Sequence, residues 1–493
     1  MSETVYLETM GCQMNVLDSE LVLGQLLAMG YVSTQDMFAA DLVLLNTCSV
    51  REHAEEKVYS KLGHLKKHKV HHPESILGVI GCMAERDTDG ILSRTPYVDL
   101  ICGPGQLNQI PGLIREIKET RKKAISLATY QSRRVDPAER SKVQFDTLEA
   151  LDLSRRPQPG AALLQPYIRI QRGCDKFCTF CVVPFTRGPE QSRSPTAIIE
   201  EAQMLADAGA KEVTLLGQTV NSYAHMENGK RFRLSDLLAL LQDVSGIERI
   251  RFVTNHPGDF GDDILAAMRD LPKVCEYLHI PAQSGCNAVL RRMKRQYTVE
   301  KYIDLIARAR DTVPGIEIAS DFIVGFCGET DAEFAETVNL VEQVMYKNIF
   351  CFKYSPRPGT AADRTISDDV PASTKRQRNI DLLNLQERIS LDRNRPMIGK
   401  TVEVLVEGYS KAALKAQEAE QSRGQEIHWR RSNQLVGRTR GDKIVVFDGD
   451  EAQVGQLAQI RITAATALTL HGVCVTEQAS RTDSILPVLQ HSR

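Results

Sequence analysis

The segment Gly173-Cys174-Asp175-Lys176-Phe177-Cys178-Thr179-Phe180-Cys181 sets three cysteines at C-x3-C-x2-C spacing, just after the apolar run from Tyr167 to Ile170. Three thiolates this close in sequence cannot all pair as disulfides. They can share one soft metal centre: zinc, copper(I) or an iron–sulfur cluster. A structural zinc site of the ribbon type would show a second C-x2-C pair, and the chain has none. The loop therefore offers three ligands to a centre with four positions. A cubane iron–sulfur cluster held in this way keeps one iron open for a further ligand.

A second set of cysteines emerges only when the elements around them are considered. Val5-Tyr6-Leu7 leads into Gly11-Cys12, Leu42 to Leu45 leads into Asn46-Thr47-Cys48, and Ile76 to Ile80 leads into Gly81-Cys82. Helix-like segments follow, among them Asp18 to Met29 and Arg51 to Leu65. Continuous apolar strands alternating with helices predict a doubly wound parallel sheet, whose ligands bind at the carboxyl ends of the strands. Cys12, Cys48 and Cys82 are expected together on that edge as a second three-thiolate site. Cys102 follows a fourth strand-like run, Val98 to Ile101, and is expected to be structural. The basic run Lys66 to His72 reads as a solvated helix end.

Composition bounds the alternatives. At 493 residues the chain exceeds a single core, and two or three domains are expected. Apolar content of 42% and charge of 25% are those of a soluble globular protein. No uncharged apolar run of membrane-spanning length occurs, and the start Met1-Ser2-Glu3-Thr4 lacks the pattern of a secretory signal. Twelve cysteines without such a signal point to a reducing cytoplasm and to metal or catalytic roles. A net charge of −2 provides no global attraction for nucleic acid, so any RNA footprint must be local.

Six strand-like runs alternate with helical ones between about 165 and 370: Tyr167–Ile170, Glu212–Leu216, Ile250–Val253, Tyr277–Ile280, Ile316–Val324 and Ile349–Tyr354. This pattern predicts a β/α barrel or a partial one, with its chemistry at the carboxyl ends of the strands. Gly217 and Gln218 follow one strand and Gly325 another; glycines there would let backbone approach a ligand. Residues 126–164, with Arg133-Arg134, Arg155-Arg156 and Pro157 to Gly160, read as a linker. A connecting helix is expected over 371–394. Period-2 runs over 395–475 then predict a small antiparallel β-barrel, interrupted by a helix-forming insertion near 412–430, with a tail from 476. Small barrels of this kind bind RNA by charge and stacking, and Arg438, Arg440 and Lys443 concentrate cations at one place.

The cysteine loop resembles the radical S-adenosylmethionine (SAM) signature. To about residue 475 the chain resembles the radical-SAM methylthiotransferases. Gly11-Cys12-Gln13-Met14-Asn15, Asn46-Thr47-Cys48-Ser49-Val50-Arg51, Gly81-Cys82-Met83-Ala84 and Arg187-Gly188-Pro189-Glu190-Gln191-Ser192-Arg193 look like the branch acting on tRNA. The resemblance implies an N-terminal methylthiotransferase domain (1–125), a radical-SAM domain (165–370) and a TRAM domain (395–475). It implies two [4Fe-4S] clusters, an auxiliary one on Cys12, Cys48 and Cys82 and a SAM-binding one on Cys174, Cys178 and Cys181, with Phe180 near the SAM adenine. The implied reaction inserts sulfur at C2 of an N6-dimethylallyladenosine beside the anticodon, at tRNA position 37, and methylates it. An unactivated aromatic C–H has no acid–base route at neutral pH, which warrants a radical. The implied partners are the anticodon stem-loop, on whose phosphates Arg438, Arg440 and Lys443 are expected, a flavodoxin- or ferredoxin-type electron donor and a sulfur donor. A cytoplasmic, non-membrane monomer is expected. Two other readings stay open: a sibling methylthiotransferase acting on threonylcarbamoyl-adenosine or on a ribosomal-protein aspartate, and a non-catalytic iron–sulfur RNA sensor. The chain departs from the family pattern at Cys327, at Pro189 and in the 412–430 insertion.

Overall fold

The computed structural model describes residues 2–49, 52–128, 151–152, 155, 163–423 and 433–475. Val50, Arg51, Arg133, Arg134, Arg156, Pro157 to Gly160, part of the 412–430 insertion and the 476–493 tail lie outside the described residues. The chain divides into two compact units, Met1–Ile389 and Ser390–Arg493.

The first unit opens with a six-stranded, all-parallel sheet: β1 (Thr4–Met10), β2 (Val32–Ser33), β3 (Leu42–Thr47), β4 (Ile76–Gly81), β5 (Leu100–Cys102) and β6 (Ala124–Ser126), in the order β2-β1-β3-β4-β5-β6. Every residue of β3 and β4 is buried, as apolar runs covered on both faces require. Leu17, Leu21 and Leu26 of the helix Gln13–Ala28 cover one face together with Ile110, Ile114 and Ile117. Val58, Leu62 and Leu65 of the helix Glu52–His71 cover the other. Strand order reverses between β1 and β3, so the crevice where such sheets bind ligands lies at their carboxyl ends. Cys12 and Cys48 sit there.

The six strands expected in the central region are present, but they do not form one closed barrel. Arg249–Phe252, Glu212–Leu216 and Tyr167–Arg169 make one three-stranded parallel sheet; Tyr277–His279, Glu317–Val324 and Asn348–Lys353 make another. Ile168, Val213, Leu215, Phe252, Leu278 and Phe322 point to a shared core packed against the surrounding helices. The opposite, lumen-side residues of the first sheet do something else. Tyr167, Leu216 and Val253 join the same apolar cluster as Leu17, Leu21 and Val22. The N-terminal sheet domain thus packs against that face of the first sheet.

The second unit holds a closed five-stranded barrel in the order Thr401–Tyr409, Gln434–Thr439, Ile444–Asp448, Thr469–Cys474, Leu457–Ala465. The expectation of an antiparallel barrel needs one amendment: Ile444–Asp448 and Thr469–Cys474 run parallel. Val404, Leu435, Phe447, Ile460 and Leu470 fill its interior. The inserted run is helical over Lys411–Arg423. Among the described residues no helix is long and apolar enough to cross a membrane.

Candidate metal centres and the ionic seam beside them

The motif glycines and asparagines build the first cysteine site. Cys12 caps the helix Gln13–Ala28, and its thiol donates to Asn15 Oδ1 at 3.3 Å. Asn15 Nδ2 in turn donates to Asn46 Oδ1 at 3.0 Å, and Asn46 Nδ2 donates to the Asn15 carbonyl and to Ser19 Oγ, both at 2.9 Å. This buried amide lattice ties the end of β1 to the end of β3. A Cβ at Gly11 would strike Asn15 and Cys48, and one at Gly81, where φ is +93°, would strike Asn46. The Gly-Cys pairs are therefore a packing requirement: only glycine lets Cys12 and Cys82 stand beside the lattice.

The three thiols feel one another. The Cys48 thiol hydrogen-bonds Cys12 and lowers its pKa to about 6, against the effect of burial and with help from the Arg187 guanidinium. Burial pushes the Cys82 thiol up, and Arg187 opposes that shift. Arg187 comes from the segment just beyond Cys181. It is buried, and its Nη1 finds no hydrogen-bond acceptor among the described residues.

The second site has a different frame. Gly173, at φ +77°, packs so tightly on the Gly188–Pro189 carbonyls that no side chain fits. Its N–H donates to Gln218 Oε1 at 2.5 Å, and the Cys174 N–H donates to the Gly188 carbonyl at 3.0 Å. Phe177 also takes a positive φ, +47°, so the loop turns twice within five residues. Cys174 Sγ lies 3.6 Å from Thr219 Oγ1. Arg295, half-buried, donates to Cys178 Sγ at 3.4 Å. Burial raises Cys174, and burial followed by the Cys178 charge pushes Cys181 up to about 12. Among the described residues no three His, Cys, Asp or Glu side chains converge as they would around a single ion. A cubane, whose ligands bind separate irons, asks for a wider set. Both triads fit such a group: the donors are soft thiols, and each faces a guanidinium, buried Arg187 or half-buried Arg295, that suits an anionic cluster.

A buried ionic seam joins the two halves of this unit. Asp18, fully buried, accepts from Arg169 at 2.9 Å and Arg187 at 2.8 Å. Arg169 also donates to Asp152 at 2.5 Å. Arg193 and Arg155 share Glu201 at 2.6 and 3.1 Å, and Arg155 reaches Glu20 at 2.7 Å. Arg155, in the stretch that reads as a linker, is a buried part of this seam.

The remaining expected residues divide. Phe180 is half-buried, edge-on to Phe326 with ring centres 6.4 Å apart, in a cluster with Cys286, Met293 and the departing Cys327. Gln218 braces the cysteine loop through Gly173. Gly217 packs on Val220 and Gln171, and the space a Cβ would take at Gly325 holds Lys375. Gly325 N–H is already committed to Glu329 at 2.6 Å, so its glycine answers to the chain's own packing. Cys102 is buried with its thiol raised by burial. Lys443, expected on RNA phosphates, is instead buried: it lies in the turn before the strand Ile444–Asp448, and its ammonium donates to Asn394 Oδ1 at 3.0 Å. Arg438 pairs with Asp442 at 2.8 Å and Glu407 at 3.1 Å, while Arg440 is half-exposed. Sequence reading missed Asp18, Arg169 and Arg295. A charged residue inside the apolar run Tyr167-Ile168-Arg169-Ile170 was the available signal for one of them.

Three family descriptions match the chain in succession: Uncharacterized protein family UPF0004 over residues 4–103, the Radical SAM superfamily over 168–341 and the TRAM domain over 426–475. Curated relatives match almost end to end. A tRNA-2-methylthio-N(6)-dimethylallyladenosine synthase of Rhodopirellula baltica is 50% identical, covering 96% of this chain and 95% of its own. One from Moorella thermoacetica is 40% identical, covering 96% and 98%. Among solved structures, the radical S-adenosylmethionine methyltransferase TsrM from Kitasatospora setae aligns over 74% of each chain with a TM-score of 0.51 and 14% identity, a likeness of fold.

Proposed function

This chain belongs to the tRNA-2-methylthio-N(6)-dimethylallyladenosine synthase family, and on that premise we propose how its own residues carry the reaction. It is a radical-SAM methylthiotransferase that converts N6-dimethylallyladenosine in tRNA to the 2-methylthio derivative. Cys174, Cys178 and Cys181 would hold a [4Fe-4S] cluster with an open iron for SAM, and Cys12, Cys48 and Cys82 an auxiliary one. When bound, the clusters and SAM supply a reductively generated radical, a methyl group and the sulfur to be transferred.

The chain's own work is placement and electrostatics. Gly173, Gln218 and Gly188 fix the shape of the cysteine loop. The N–H···S bond from Arg295 to Cys178 raises the reduction potential of a bound cluster. Arg187 compensates the negative charge of a cluster on Cys12, Cys48 and Cys82. Phe180 gives the SAM adenine an apolar edge. The TRAM module brings the RNA, with half-exposed Arg440 on a phosphate; the finer target is the adenosine at position 37 of the anticodon stem-loop. A flavodoxin- or ferredoxin-type protein would deliver electrons, a separate donor would renew the sulfur, and the enzyme would act as a cytoplasmic monomer.

The observation that supports this reading most is the placement of both cysteine triads in one compact unit, each against an arginine, Arg187 or Arg295, and with the ionic seam of Asp18 beside them. The test is anaerobic reconstitution with SAM, dithionite and a prenylated anticodon stem-loop. Mass spectrometry of the nucleosides should find 2-methylthio-N6-dimethylallyladenosine. Absence of both this product and 5′-deoxyadenosine would leave an iron–sulfur RNA sensor instead.

A further inference from the structure

The N-terminal sheet domain packs on Tyr167, Leu216 and Val253 of the first three-stranded sheet, whereas on the corresponding face of the second sheet, among the described residues, Phe350 and Phe352 stay exposed. In a parallel sheet, residues in register point to the same side. Asp321 pairs with Phe350 and Ile323 with Phe352, so these four share a face. Their neighbours Phe322 and Ile349 point the other way, into the helix-covered core. Phe350 is 48% exposed and Phe352 37%. Parallel strands normally bury both faces, and two adjacent exposed rings are a standing hydrophobic cost that a ligand would relieve.

This face also has a polar element. His279 Nδ1 accepts the Thr254 N–H at 3.3 Å, which leaves the ring proton on Nε2; that N–H donates to Asp321 Oδ1 at 3.2 Å. The His279 ring stands edge-on to Phe350, 6.3 Å between centres. Asp321 is thus oriented by one oxygen, and its other oxygen can accept. Ile323 completes the connection to the chemistry, because it packs on the cluster that includes Phe180 of the cysteine loop.

We propose that Phe350, Phe352 and Asp321 form the receptor for the N6-dimethylallyl-adenine group. This rests on the substrate reading above and extends it to named residues. The ligand has an aromatic base, a branched five-carbon substituent and one remaining N6–H. The rings provide a stacking surface and an apolar wall; Asp321 accepts the N6–H and so fixes which edge of the base turns toward the cysteine loop. The same carboxylate disfavours an N6 substituent that carries its own carboxylate, such as threonylcarbamoyl. Phe350 and Phe352 are specificity-determining residues on this account, and Asp321 is a positioning residue.

The test is binding of two anticodon stem-loop RNAs, with and without the dimethylallyl group, to reconstituted SAM-loaded protein. Wild type should bind the prenylated RNA about tenfold more tightly, the equivalent of burying about two of the five prenyl carbons. In the Phe350→Ala, Phe352→Ala variant that preference should fall to about twofold or less, with a smaller loss of affinity for the unprenylated RNA, whose adenine meets the same rings. Both rings are exposed, so the core is untouched, and iron content with RNA-independent reductive SAM cleavage serves as the folding control. A preference retained in the variant overturns the receptor but not the substrate reading. Equal loss of both RNAs also overturns it, making the face a general RNA contact. No preference in wild type would overturn the substrate reading and the receptor together.

Discussion

Asp18 Oδ2 accepts from Arg187 at 2.8 Å, and its Oδ1 accepts from Arg169 at 2.9 Å. One carboxylate with no exposure therefore grips the chain both before and after the C-x3-C-x2-C loop. Asp18 itself lies on the helix that Cys12 caps. The two cysteine sites share a structural anchor although more than 150 residues separate Asp18 from Arg169.

Removing that carboxylate should be costly. Breaking a buried pair from one side leaves the partners uncompensated, typically about 3–5 kcal/mol. Asp18→Asn should lower stability by that order in chemical denaturation, with little dependence on salt, since buried pairs are poorly screened. Burial pushes the Asp18 carboxyl up, but Arg187, Arg169 and Arg172 outweigh it and hold it below its ordinary value of 3.8. Its contribution is therefore fully present above that value and fades as pH falls through the folded-state pKa. The stability gap between wild type and Asp18→Asn should be constant at neutral pH and narrow in acid below about 3.8. A gap that widens in acid contradicts the assignment.

The two triads should separate cleanly. Reconstituted protein should hold about eight irons if both [4Fe-4S] clusters form. Replacing Cys174, Cys178 and Cys181 by Ala should leave roughly half and abolish 5′-deoxyadenosine production. Replacing Cys12, Cys48 and Cys82 should also leave roughly half but keep reductive SAM cleavage while ending methylthiolation. Methylthiolated adenosine from the second variant would make the N-terminal cysteines structural.

Gly173→Ala tests the loop geometry without touching a ligand. The added methyl meets the carbonyls of Gly188 and Pro189, and alanine resists φ +77°. Iron on the Cys174 loop should fall, read as loss of SAM cleavage and about half the iron, with the N-terminal cluster retained. Full iron content with unaltered turnover would show that the loop tolerates the change.

The cations of the C-terminal barrel should now behave unequally. Arg440→Ala should flatten the salt dependence of tRNA binding by roughly 0.7 log unit per log unit of salt, the loss of one single-strand phosphate contact. Lys443→Met should leave that slope unchanged. It should instead destabilise the barrel by about 1–3 kcal/mol, because the Asn394 carbonyl it serves loses its donor. Matching slopes for wild type and Arg440→Ala would place the phosphate contacts elsewhere on the chain.

The sequence by itself determined the parts that depend on local pattern. Cysteine spacing at 174, 178 and 181, apolar runs ending before Cys12, Cys48 and Cys82, and strand–helix alternation from Tyr167 to Lys353 are all statements about neighbours in the chain. The tertiary structure decided what each charge does. Arg169, Arg155 and Lys443 look like surface cations in sequence, yet each is buried against a partner. Phe350 and Phe352 look like core residues, yet they are exposed. Whether a side chain meets water, a counter-charge or a ligand depends on which distant element covers its face, and local propensity carries no term for that. Tyr167, Leu216 and Val253 are covered by a domain that begins more than 150 residues earlier in the chain, so only the folded chain could show that Phe350 and Phe352 stay exposed.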